Sequence, residues 1–326
     1  MPDQGPPPAL SVLVLNYNHG RFLAECIDSV LSQSFAGYEV IVIDDASTDD
    51  SAAVLRAYEG DSRVRIVRHG ANRGFTASLI EGTEELSRGE FLTVISADDF
   101  ALDDDAFALQ VARLRDDPTL AACISAYTKV GPGPDRSIRR PLGGGGVVAG
   151  HDLVRLQLTE REFGILHSGT IIRAEAYRRV GGYRRDLRNY VDLAMWIALG
   201  YVGPVACIDR PLYGYRVHAS QFSGSAARRR QVLREGAGVL REAACTAAGA
   251  GIEVSVMAVL RARIADLALA DAFAGRRIRA LQRCADALLI APLPALTSPG
   301  WWMALARSVA GDRGWGVLAA ARRRLS

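Results

Sequence analysis

Three things are scarce in this sequence, and each scarcity removes a class of protein. The five cysteines, Cys26, Cys123, Cys207, Cys245 and Cys284, are far apart and form no CxxC pair. Their odd number and spacing argue for reduced thiols rather than a disulfide framework or a zinc site. Long apolar runs are missing too, since the best stretch, Ala285 to Trp302, is broken by three prolines, which excludes an ordinary spanning helix. Charge of one sign is also lacking. Lys and Arg number 39 against 36 Asp and Glu, a net charge of +3, and the arginines are scattered, so no global field calls for nucleic acid. Residues Met1 to Pro8 hold four prolines and no cationic stretch ahead of an apolar one. That is not the form of a secretory signal, and the expected location is the cytoplasm.

What is present suits a globular chain: 326 residues, 49% apolar and 23% charged, enough to bury a sizeable core and far from a disordered composition. Leu10 to Asn16 (LSVLVLN) reads as a strand buried on both faces, ending in the polar cluster Asn16, Asn18, His19, Gly20. In Arg21 to Gln33, the apolar residues Phe22, Cys26, Ile27, Val30 and Leu31 recur at helical spacing and predict one core-facing stripe. Strands at Tyr38 to Ile43, Val64 to Arg68, Phe91 to Ile95 and Leu120 to Thr128 alternate with helices ending near Tyr58, at Gly74 to Leu86 and at Asp103 to Arg115. This rhythm predicts a mainly parallel sheet with right-handed crossovers, whose ligand crevice lies at the carboxyl ends of the strands.

Gly131 to Gly150 interrupts the rhythm and is expected to be a mobile loop. Its GGGG, Gly143 to Gly146, lacks the following Lys-Ser/Thr of a phosphate loop. Beyond Ser225 the composition shifts to alanine and arginine with helical periodicity. Residues 1–8 are therefore read as a flexible N-terminus, 9–224 as an α/β domain and 225–326 as a helical region.

Three polar clusters, at Asn16, at Asp45 and at Asp98-Asp99, end strands on the same side. Paired carboxylates there suit an oxygen-ligated divalent cation clamping a diphosphate. Taken alone, adjacent aspartates equally end a strand and solvate a turn.

In order and spacing, Asn16-Tyr17-Asn18, IDDASTDDS (Ile43 to Ser51), NRG (Asn72 to Gly74) and SADD (Ser96 to Asp99) resemble the family 2 glycosyltransferases of GT-A fold. The resemblance continues through HSGTIIRAEAYRRVGGY (His167 to Tyr183), VDLAMWIAL (Val191 to Leu199) and LYGYRVHASQFS (Leu212 to Ser223). It implies a Rossmann-like nucleotide-diphospho-sugar transferase domain over 9–224, with a donor half at about 9–128 and an acceptor half at about 150–224.

The roles implied are these. Asn16 and Tyr17 lie beside the donor base, Asp45 at the base edge with Asp44 as its neighbour, and Asp98 near ribose and metal. Asp99 sits on Mg²⁺ or Mn²⁺. Arg216 and His218 approach the diphosphate or metal, and Arg73 helps hold the phosphates. Asp192 is the base that deprotonates the acceptor hydroxyl in an inverting displacement. Without the resemblance it reads as an acid at a helix start. His167 is a further candidate to line the acceptor pocket. Two departures stand out: Ser96 replaces the first acid of the family's DxD run, and Leu79 and Ile80 replace an arginine and an asparagine.

The implied donor is a nucleotide sugar, UDP-sugar favoured over dTDP- or GDP-sugar. The acceptor is a glycan or lipid-linked molecule in polysaccharide or glycoconjugate synthesis. Two alternatives remain open, a sugar-phosphate nucleotidyltransferase and a non-catalytic subunit binding nucleotide sugars or glycans. At the C-terminal end, Leu288 to Trp302 with its Trp301-Trp302 pair, and Val317 to Leu325 with Arg322, Arg323 and Arg324, suit peripheral contact with the inner face of an anionic membrane. Packing of the same tryptophans within the protein is the other reading.

Overall fold

A computed structural model of the protein describes residues 7–131, 136–141, 144–159, 165–218 and 229–255, with 281, 284, 298, 299, 301–306, 308 and 309. The chain divides into two compact units, Met1–Val154 with Phe163–Gly224, and Arg155–Glu162 with Ser225–Ser326.

The first unit is built on a mixed sheet whose central strand, β1 (Leu10–Asn16), is buried at every position. Seven such residues in a row leave no polar face, so the strand is stable only with sheet on both edges and helices on both faces. β2 (Tyr38–Asp44) and β4 (Phe91–Ser96) flank it in parallel, and β3 (Val64–Arg68) extends the β2 edge. Beyond β4 lie β9 (Ile171–Arg173), then β6 (Ala122–Val130), β10 (Val205–Arg216) and β5 (Phe100–Ala101). β9 runs antiparallel to both of its neighbours, while β6 and β10 are parallel. The expected parallel pattern thus holds for β1 to β4, and the reversed β9 lets the later segment join at β4.

Helices α1 (Gly20–Leu31), α2 (Ser51–Leu55), α3 (Phe75–Ile80), α4 (Ala106–Asp116), α6 (Ala174–Arg179) and α7 (Val191–Leu199) belong to this unit. The one long helix expected after Asn72 is instead α3 followed by a π-helical turn, Glu81–Leu86. α1 turns Leu23, Cys26, Ile27 and Val30 into the core. Phe22, expected in that stripe, is only half-buried and faces the candidate site instead.

Gly131 to Gly150 was expected to be a loop, and the structure corrects this. Among its described residues β7 (Arg136–Arg139) pairs with β6, and β8 (Gly146–Val148) pairs with β10. The backbone takes up unpaired groups at the edges of those strands. Ile138 and Val147 stay 52% and 53% exposed, so no buried alternation marked either strand in sequence.

The register aligns the site. Asn16 lies beside Asp44, and Leu15 beside Ser96. Gly214 pairs with Phe100, which brings the end of β10 against the residues after β4. Ser168 bridges to Val94. Gly169 has φ +83° and lies so close to the Tyr213 ring that an added Cβ would fall 2.3 Å from it, so only glycine fits. Tyr213 in turn donates to Gln110 Oε1 at 2.7 Å, and Gln110 Nε2 donates to the carbonyls of Cys123 and Gly169. A buried side chain thus holds β6, β10 and the turn before β9 together.

Helix α5 (Gly150–Thr159) starts in the first unit, and its residues from Arg155 belong to the second. In the second unit α8 (Arg229–Gly249) buries Val239, Leu240, Ala243, Ala244 and Ala247, a stripe of helical period. Trp301 is buried, donating from Nε1 to the Cys284 carbonyl at 3.0 Å, while Trp302 is 50% exposed. Most of Leu288 to Trp302 and all of Val317 to Leu325, with Arg322 to Arg324, lie outside the described residues. Among the described residues no helix is long and apolar enough to cross a membrane.

Candidate active site

The carboxyl ends of β1 and β2 form a bonded cluster. Asn16 Nδ2 donates to Asp44 Oδ1 at 2.7 Å and to Ser47 Oγ at 3.1 Å, and Ser47 Oγ donates to Asp44 Oδ1 at 2.5 Å. Tyr17, next in sequence, turns outward and is 46% exposed, offering a ring face to a ligand. Asp45 is buried. Its Oδ1 accepts from the Arg73 N–H at 2.8 Å and faces His69 Nδ1 at 2.7 Å, and its Oδ2 accepts from the Gly74 N–H at 2.8 Å. Burial opposes the charge, but these bonds from Arg73, His69 and Gly74 hold the carboxyl below its ordinary range. Gly74 has φ +89°, a left-handed turn that glycine reaches without strain. Both Asp45 oxygens are therefore engaged in ordering the NRG loop. Glu81 closes the network, meeting His69 Nε2 at 3.0 Å and Arg73 Nη1 at 2.5 Å.

A second cluster forms where β4 ends. His218 Nε2 lies 3.0 Å from Asp98 Oδ2, and Arg21 Nη2 lies 3.4 Å from His218 Nδ1. His19, beside them, makes an edge contact to the His218 ring at 5.5 Å between centroids. One donor atom from each of His19, Asp98 and His218 lies within 4.8 Å of the others. The Nδ1 atom of His19 is buried without a hydrogen-bond partner. Burial lowers the His19 pKa against the pull of Asp98, favouring the neutral ring that a metal ligand requires. Two imidazoles and a carboxylate fit a divalent cation of the Mn²⁺ kind better than Mg²⁺, which favours oxygen ligands.

Asp99, expected on the metal, is turned away from this cluster. Its Oδ2 accepts from Ser168 Oγ at 2.5 Å and its Oδ1 from the Arg216 N–H at 3.0 Å. Burial, then the charge of Asp98, pushes its carboxyl up to about 8. The Arg216 guanidinium donates to Glu25 Oε2 at 2.7 Å and to the Asp98 carbonyl at 3.0 Å, and stacks over Phe22 and Phe100. It clamps the end of β10 to the β4 turn.

The third element surrounds His167. His167 Nε2 faces Tyr183 Oη at 2.9 Å, among the rings of Phe75, Tyr183 and Trp196. Burial lowers its pKa, while the nearby charge of Asp192 works the other way. Asp192 stands in the first turn of α7, its Oδ1 accepting from the Leu193 N–H at 2.8 Å. Tyr190, just before the helix, has φ +52°, a left-handed conformation that costs a non-glycine residue about 1–2 kcal/mol.

The sequence reading missed His19 as a donor and passed over Ser168 and His69. His19 stood in the polar cluster after β1, which was its only signal. Ser168 stood in the HSGT motif without a role and His69 carried no signal, because their partners Asp99 and Asp45 are distant in sequence.

This geometry can be set beside known proteins. The glycosyl transferase family 2 model matches residues 11–181. The chain belongs to that family. Chondroitin synthase of Escherichia coli is 30% identical over 220 residues, which is 66% of this chain and 30% of the synthase, so the chain spans less than a third of that relative. Among solved structures, S. aureus TarS 1-349 in complex with UDP-GlcNAc superposes with TM-score 0.63 at 15% identity, covering 92% of this chain and 88% of TarS. The mannosyltransferase PcManGT from Pyrobaculum calidifontis, in complex with GDP-Man and Mn²⁺, gives 0.53 at 22%, covering 95% and 88%. At these identities the likeness speaks for the fold alone, and this family 2 chain has the GT-A fold expected of it.

Proposed function

We propose that this family 2 chain is a metal-dependent, inverting glycosyltransferase. It moves a sugar from a nucleotide-diphosphate sugar, UDP-sugar favoured, to an acceptor hydroxyl in polysaccharide or glycoconjugate synthesis. One observation carries the reading: Asp98 and His218, 120 residues apart, meet at 3.0 Å on the sheet edge where Asn16 and Asp44 also end. A divalent cation held by Asp98 and His218 would neutralise the diphosphate charge that grows as the anomeric bond breaks.

Tyr17 stacks on the donor base, in a pocket ordered by Asn16, Asp44 and Asp45. Arg73 contacts the phosphates, and Arg216 holds the β4 turn that carries Asp98. Asp99 fixes the same turn through Ser168. Asp192 accepts the proton of the attacking hydroxyl, and His167 lines the acceptor pocket. TarS with UDP-GlcNAc and PcManGT with GDP-Man and Mn²⁺ lend support, being GT-A neighbours solved with nucleotide sugars. Work in the cytoplasm at the inner membrane face, on a lipid-linked acceptor, fits the exposed Trp302. Flotation of the full chain, but not of a truncation after Ala285, with anionic vesicles tests that point.

The central experiment incubates the chain with a UDP-sugar and Mn²⁺ without acceptor. Slow release of free UDP that stops with EDTA is expected. Binding without release would favour a non-catalytic sugar-nucleotide-binding subunit, and release that ignores EDTA would sink the metal dependence.

A further inference from the structure

We propose that His19 is a third protein ligand to the divalent cation, and that it tilts the site toward Mn²⁺ and away from Mg²⁺. The proposal rests on the metal reading above and deepens it. Four observations lead there. One donor atom each from His19, Asp98 and His218 lies within 4.8 Å of the other two. With donors at about 2.1 Å from an ion, a pair at right angles is roughly 3 Å apart and an opposed pair roughly 4.2 Å; Asp98 and His218 already stand at 3.0 Å, and His19 has to move in only from within 4.8 Å.

His19 also presents a buried nitrogen, Nδ1, with no hydrogen-bond partner, although buried polar atoms are almost always paired. A cation shared among His19, Asp98 and His218 would give the His19 ring a partner that the protein does not supply at Nδ1.

The segment that carries His19 is held from outside. The Asn18 N–H donates to Ser47 Oγ at 2.9 Å, and Asn18 Oδ1 accepts from the Thr48 N–H at 2.7 Å. The Gly20 N–H donates to Asp49 Oδ2 at 2.8 Å. Asn18 itself takes a left-handed φ of +57°. The loop between β2 and α2 thus grips the residues on both sides of His19, while the His19 carbonyl accepts from the Phe22 N–H at 2.8 Å to start α1. A side chain aimed by such flanking bonds is preorganised as a ligand.

Finally, the strand end beside Asp98 offers a serine, Ser96, so Asp98 is the sole carboxylate in the donor group. Two imidazoles with one carboxylate make the set nitrogen-rich, and imidazole favours transition ions over Mg²⁺.

The test is Mn²⁺ binding to the full chain, with and without UDP, followed by loss of the free-ion electron paramagnetic resonance signal. Pulsed measurements count the histidine nitrogens coupled to the bound ion. The wild type is expected to show two coupled histidines, a result that needs no variant. His19→Ala is expected to weaken Mn²⁺ at least about tenfold and to leave one coupled histidine. His19→Asp should retain Mn²⁺ and improve Mg²⁺ binding relative to it. A single coupled histidine in the wild type, or His19→Ala binding within twofold of it while His218→Ala fails, overturns the ligand role of His19 and leaves the metal reading standing. A wild type that binds no Mn²⁺ with or without UDP overturns both.

Discussion

Ser168 Oγ donates to Asp99 Oδ2 at 2.5 Å, and that bond ties the segment carrying His167 to the turn carrying Asp98. Ser168 Oγ also accepts from the Ser96 N–H at 3.1 Å, so one hydroxyl serves both the strand end and the acid. The consequence is positional. The segment around His167 is held in register with the turn after β4 by a buried pair, not by chain proximity.

Asp99 makes a pH-dependent prediction. Its carboxyl is pushed from 3.8 up to about 8 by burial and by Asp98, so the folded state keeps a proton that the unfolded chain releases near pH 4. Its stabilising contribution is full below about pH 4 and is lost as pH rises toward 8. Asp99→Asn cannot titrate. In EDTA, the variant should gain unfolding free energy relative to the parent from pH 4.5 to 8, by on the order of a few kcal/mol at the top, since one pKa unit is worth about 1.4 kcal/mol, read as urea midpoints across the pH series. A difference that stays flat over this window would refute the account of Asp99.

Asp192→Asn should lower kcat by roughly 10²-fold or more, the usual worth of a positioned proton acceptor, with donor affinity nearly unchanged. Steady-state kinetics together with UDP titration separate the two. Weak donor binding with normal turnover at saturation would remove Asp192 from the role of base.

The reverse pattern is expected for Asp45→Ala. Arg73 N–H, Gly74 N–H and His69 lose their acceptor at once, so the NRG loop should loosen. Stability should fall by about 1–3 kcal/mol, the cost of unsatisfied buried groups, and UDP should bind more weakly while kcat changes less. Calorimetric titration with UDP and urea denaturation check the two arms, and a variant with unaltered UDP affinity would contradict the pocket-ordering role.

Gly169→Ala tests the packing beneath the site. A Cβ there falls 2.3 Å from the Tyr213 ring on a backbone with φ +83°, so overpacking and strain add. A loss of about 2–4 kcal/mol is expected, read as a lower urea midpoint. Near-wild-type stability would mean that Tyr213 and its bond to Gln110 can shift freely.

The α/β class, the succession of strands and helices from β1 to α4 and the gathering of the clusters at Asn16, Asp45 and Asp98-Asp99 along one edge were legible in the sequence. Buried strands such as β1 carry their own apolar signature, and in a parallel sheet the side on which strands end follows from chain order. β7 and β8 were not legible, because edge pairing uses backbone groups and leaves Ile138 and Val147 exposed. The composition of the second unit announced α8, whose buried stripe follows helical period.

At the site, residue type and strand-end position singled out Asp98 and Asp99, and the family resemblance added His218 and Asp192. Neither said which acid faces which partner. Asp98 and Asp99 are adjacent in the chain, yet one meets His218 and the other turns inward to Ser168, because both lie in the turn after β4 that the Asp99 N–H closes on the Ser96 carbonyl at 2.8 Å. The pairing of β5 with β10 brought His218 to Asp98, and the grip of the β2–α2 loop brought His19 beside both. Contacts between residues 69 to 120 positions apart depend on strand register. Register is a property of the assembled sheet, so local sequence determined the candidate groups and the tertiary structure decided their company.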